Sequence, residues 1–80
     1  MSKLRKANLS FIIPVKNEED SLVILYKEIT SIVRKIKYPY EIIFIDDGST
    51  DNTFKLIKGL LSKDKKIKTI RLRGNFGKSI

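Results

Sequence analysis

Apolar positions in this chain fall into short unbroken runs separated by longer stretches in which they recur every three or four residues. The run Ile42-Ile43-Phe44-Ile45 is β-branched and aromatic, the signature of a strand buried on both faces inside a parallel sheet. It stops at Asp46-Asp47, and Gly48 permits a sharp turn. Ser49, Thr50 and Asp51 are suited to start a helix, by side-chain capping and by a carboxylate near its positive end. An earlier run, Leu9 to Val15, is a first strand, with Pro14 marking its carboxyl end. Ile67 to Leu72 is a third.

Between the first two strands, Leu22, Leu25, Tyr26, Ile29, Ile32, Val33 and Ile36 define one apolar helix face. Asn17 is expected to cap that helix, with Asp20 as its capping-box partner and Glu18 and Glu19 in its first turn. Arg34, Lys35 and Lys37 suit its negative end, and Tyr38-Pro39 ends it. A second helix is expected from about Thr50 to Ser62, with Phe54, Ile57, Leu60 and Leu61 toward the sheet and Gly59 weakening it slightly. Lys63 to Lys66 is a charged loop, and Arg73 to Ile80 a glycine-punctuated one.

The order is β-α-β-α-β. Right-handed crossovers between parallel strands arranged 3-2-1 place both helices on one sheet face. Yet the first two strands are apolar on both sides, Phe11 and Ile13 against Ile12 and Val15, Ile42 and Phe44 against Ile43 and Ile45. A bare apolar face is unusual in a finished monomer. The fold class is therefore an incomplete α/β domain: residues 1–8 form a basic leader and 9–80 the amino-terminal part of a larger unit.

Composition narrows the chemistry. With no cysteine and no histidine, disulfides, thiolate metal sites and imidazole bases are excluded. No apolar run reaches the roughly 20 residues needed to span a bilayer, and Met1 to Asn8 lacks a signal-peptide core, so the reading is cytoplasmic. The net charge of +8 points to polyanions, but six of the nine acids lie in two clusters, Glu18-Glu19-Asp20 and Asp46-Asp47-Asp51. Both clusters follow strands, so they share the carboxyl edge where open parallel sheets bind ligands. An acidic binding edge disfavours nucleic acid. An anionic membrane surface stays admissible for the lysines, most of which read as a solvated exterior.

Asp46-Asp47-Gly48-Ser49 fits two roles, a nucleotide site that engages a base or ribose, or a helix-entry turn whose acids only cap. For Asn17 and Glu19 capping is preferred, for Glu18 ligand binding. Arg71 reads as an ordinary outward residue, while Lys78, beside Gly77, remains a candidate for a diphosphate. Neither a G-x-G-x-x-G turn nor a P-loop is present.

Three motifs in order, Pro14-Val15-Lys16-Asn17-Glu18-Glu19, Asp46-Asp47-Gly48-Ser49-Thr50-Asp51-Asn52-Thr53 and Asn75-Phe76-Gly77-Lys78, make the chain resemble the opening of a family 2 glycosyltransferase of the Rossmann-like GT-A fold. Its ending most resembles the branch that charges polyprenyl or dolichyl phosphate with a hexose. The resemblance implies a nucleoside-diphosphate sugar as donor and a polyprenyl phosphate or glycan as acceptor. Pro14, Lys16, Glu18 and Ile45 would line the base and ribose, and Asp47 would contact them with Asp46 in support. Lys16 stands where relatives often carry an aromatic residue. A D-x-D motif holding Mg²⁺ or Mn²⁺, the acceptor site and any membrane segments would lie beyond Ile80, so no catalytic residue is expected here. The full enzyme would work at the cytoplasmic face of the membrane. A nucleotidyltransferase of similar build, and a non-enzymatic basic module for RNA or anionic membrane, are the alternatives.

Overall fold

A computed structural model describes residues 9–72. The elements run β1 (Leu9–Val15), α1 (Leu22–Val33), β2 (Tyr40–Asp47), α2 (Thr53–Lys63) and β3 (Ile67–Leu72). All strands are parallel, in the order β1-β2-β3, which is the expected 3-2-1 arrangement read from its other edge. The first and third strands match their expected bounds, and the second continues through both aspartates.

Side chains alternate across a strand, so register assigns each residue a face. One face carries Phe11, Ile13 and Val15 beside Ile42, Phe44 and Asp46, then Ile67, Thr69 and Arg71. Leu22 and Val33 of α1 and Ile57 of α2 pack onto it, forming one core with Val15, Ile42, Phe44 and Ile67. Val15 thus shares the side of Phe11 and Ile13, correcting its expected pairing with Ile12: the two differ by an odd number of residues. Both helices cover this face. The other face carries Ile12 and Pro14, Ile43 and Ile45, Ile70 and Leu72, with Ile12 54% and Ile70 50% exposed. The bare apolar face expected from the strand pattern is present.

Candidate functional site

Both helices start later than their capping residues suggest. Helix α1 begins at Leu22 rather than after Asn17, and α2 at Thr53 rather than Thr50. The polar side chains that look like local caps instead join the two loops at the carboxyl edge. Asn17 has a positive φ of 51°. Its N–H donates to Ser49 Oγ at 2.9 Å, and its Oδ1 accepts the N–H groups of Thr50 at 2.9 Å and Asp51 at 3.3 Å. The Glu18 N–H donates to Thr53 Oγ1 at 2.8 Å. Glu19 donates its N–H to Asp51 Oδ2 at 3.3 Å and accepts the Asn52 N–H on Oε1 at 2.8 Å. Asn17 is therefore not the cap of α1, and Glu19 serves the entry of α2 rather than the first turn of α1.

Asp51 lies at the centre of this joint. Partial burial works against its charged form, but hydrogen bonds from the Thr53 hydroxyl and N–H and from the Glu19 N–H outweigh it and hold the carboxyl below its ordinary value.

The expected ligand residues divide across the sheet. Pro14 and Ile45 are register partners on the face away from the helices, and Asp47, two residues past Ile45, shares that face. Lys16 is exposed just past the tip of β1. Asp47 is exposed, and among the described residues nothing hydrogen-bonds or pairs with its carboxylate. Asp46 points the opposite way and is fully buried, its Oδ1 accepting the Ser49 N–H at 3.0 Å. Glu18 is exposed at the same edge, its Oε1 accepting the Ser21 hydroxyl at 2.7 Å. Glu18 and Asp47 thus stand at one end of the sheet. Lys78 lies outside the described residues, as do the leader and the Asn75-Phe76-Gly77 motif.

Arg71 is the residue that polarity alone misplaces. It lies beside Asp46 in register, on the helix-covered face, with its guanidinium 4.5 Å over the Phe54 ring and its Nη2 donating to the Ser49 carbonyl at 3.0 Å. Ile70 and Leu72 look like the inward set of that strand, yet they face the bare side. The parity of Ile67, which is buried at the start of β3, is the signal that places Arg71 correctly.

Among the described residues no group of three carboxylates or other ligating side chains could hold a metal ion. Asp46 and Asp51 are committed to protein partners, so these residues do not form a divalent-cation site. No described helix is long and apolar enough to cross a membrane.

A parallel α/β sheet whose carboxyl-edge loops are locked together and carry exposed carboxylates has the build of the open α/β domains that take ligands at that edge. The chain belongs to glycosyl transferase family 2, whose family model matches residues 10–80. That bears out the resemblance drawn from its three motifs. It is 40% identical over 72 residues to an uncharacterized glycosyltransferase of Synechocystis, covering 90% of this chain and 23% of the relative. It is 42% identical over 71 residues to an undecaprenyl-phosphate 4-deoxy-4-formamido-L-arabinose transferase of Pectobacterium atrosepticum, covering 88% and 22%. A prophage bactoprenol glucosyl transferase homolog of Escherichia coli is 37% identical over 70 residues, covering 88% and 23%. The chain thus spans under a quarter of the length of these relatives.

Proposed function

We propose that this chain is the donor-nucleotide-binding part of a glycosyltransferase that passes a sugar from a nucleoside diphosphate to a polyprenyl phosphate or another lipid or glycan acceptor. The observation that carries the reading is the exposed carboxylate of Asp47, without a partner among the described residues and set beside Pro14 and Ile45 at the carboxyl edge. A carboxylate there accepts hydrogen bonds from a base N–H or ribose hydroxyls, while Pro14 and Ile45 offer apolar surface to the base. The Lys16 stem extends that surface, and Glu18 stands at the same edge for a ribose. Asp46 contributes from behind the sheet by holding the turn. The role of these residues is orientation of the donor rather than bond-making.

The acceptor reading is supported by relatives whose names specify undecaprenyl phosphate and bactoprenol. Lys78 remains a candidate for the diphosphate. Mg²⁺ or Mn²⁺ enters this reading only through a D-x-D motif expected beyond Ile80. A lipid acceptor would place the work at a membrane, in this reading at its cytoplasmic face, and the basic exterior suits an anionic membrane surface.

Titration of UDP and GDP, each with Mn²⁺, into the wild-type protein and Asp47→Asn tests this. The variant is expected to bind its preferred nucleotide about tenfold more weakly, a difference of about 1.4 kcal/mol. Equal affinity removes Asp47 from the site. Salt-sensitive RNA binding with no response to either nucleotide would favour the non-enzymatic alternative.

A further inference from the structure

Asp46 and Ser49 are the two ends of the turn that presents Asp47, and Arg71 reaches both. Its Nη2 donates to the Ser49 carbonyl at 3.0 Å. Its Nε lies 3.7 Å from Asp46 Oδ2, too far for a hydrogen bond but close enough for charge attraction. That Asp46 oxygen is buried and has no hydrogen-bond partner among the described residues, so the guanidinium supplies the compensating charge that a buried carboxylate requires. Phe54, in the first turn of α2, stacks against the guanidinium and limits the positions it can take. Arg71 is thus fixed by α2 on one side and grips the turn on the other.

We propose that Arg71 is a positioning residue for the nucleoside site: by clamping both ends of the Asp46–Ser49 turn from the helix-covered face, it sets where Asp47 stands on the opposite face. The geometry requires both parts of the side chain. A charge alone would answer Asp46, but only a forked, planar group also reaches the Ser49 carbonyl. This inference rests on the reading of Asp47 as a nucleoside ligand.

The test is a double-mutant cycle in the full protein, with Arg71→Met and Arg71→Lys each made in the wild-type and the Asp47→Asn backgrounds. Circular dichroism checks the fold, and UDP and GDP affinities are measured with Mn²⁺. With Asp47 in place, Arg71→Met is expected to weaken binding about tenfold and Arg71→Lys by a smaller factor. In the D47N background neither is expected to weaken binding further, because the group they position is gone. General destabilisation would instead act alike in both backgrounds. If Arg71→Met does not hold its fold, Arg71→Lys is read alone by the same criterion. Wild-type affinity in the Arg71 variants, or equal losses in both backgrounds, overturns the role of Arg71 and leaves the site reading intact. Wild-type affinity in Asp47→Asn itself overturns the site reading, and this inference with it.

Discussion

Asn17 holds a backbone conformation that favours glycine and asparagine, and its side chain explains why asparagine is used. Its Oδ1 collects two N–H groups from the neighbouring loop while its own N–H reaches Ser49. Asn17→Ala loses that acceptor and places a Cβ-bearing residue without local compensation at positive φ. We expect it to lower stability by about 2 kcal/mol, and Asn17→Gly by roughly half as much, in urea unfolding. Equal losses in the two variants would mean that backbone conformation plays no part. The identity of Asn17 as a capping residue is legible in the sequence. Its partner is not, because a side-chain oxygen satisfies a distant N–H as well as a near one. Asp46 and Asp47 show the same limit: adjacent acids read as one cluster, but strand alternation sends one into the core and leaves the other exposed.

At the level of elements, strands β1 and β3 are legible to the residue because proline, apolar runs and charged loops bound them on both sides. The helix starts are displaced, by a few residues each, because the segments preceding them are spent on joining the β1–α1 and β2–α2 loops. The far end of α2 is tied to the middle of α1 as well. Tyr26 of α1 donates its hydroxyl to Asp64 Oδ2 at 2.7 Å, and this bond, aided by burial, pushes the tyrosine pKa up to about 12. At the α2 entry, Asp51 carries a depressed pKa, so it contributes stability above its unfolded value of about 3.9, and that contribution disappears as pH falls through the folded value. Asp51→Asn should therefore be less stable than wild type near neutrality. The gap, followed by urea unfolding at each pH, should narrow as the pH is lowered through the carboxylate range. A gap that does not change with pH would show that the Asp51 charge is irrelevant to the joint. Glu41 is also held low, by the Ser10 hydroxyl and then Lys68, which is why the comparison is made against the variant rather than on the wild type alone.

At the scale of the whole described fold, the loop charges are largely sorted along the strand axis. Among the described residues, the loops at the carboxyl edge hold Glu18, Glu19, Asp20 and Asp51 beside Asp46 and Asp47, with Lys16 as their one cation, whereas the connections at the amino edge hold Arg34, Lys35, Lys37, Lys65 and Lys66, with Asp64 as their one acid. The uncovered face with Ile12, Ile43 and Ile70 was legible from apolar runs on both sides of the strands, and relatives about four times as long have chain with which to cover such a face. The role of Arg71 was not legible, since its strand shows two competing apolar parities and only pairing with β2 decides between them. The central claim is that the acidic edge receives a nucleoside diphosphate. Amide chemical-shift mapping of the isotope-labelled protein during titration with UDP and GDP tests it most directly. We expect shifts concentrated at Lys16 to Glu18 and Asp47 to Ser49, with the segment from Lys63 to Lys68 unmoved; shifts confined to that basic segment would contradict the account.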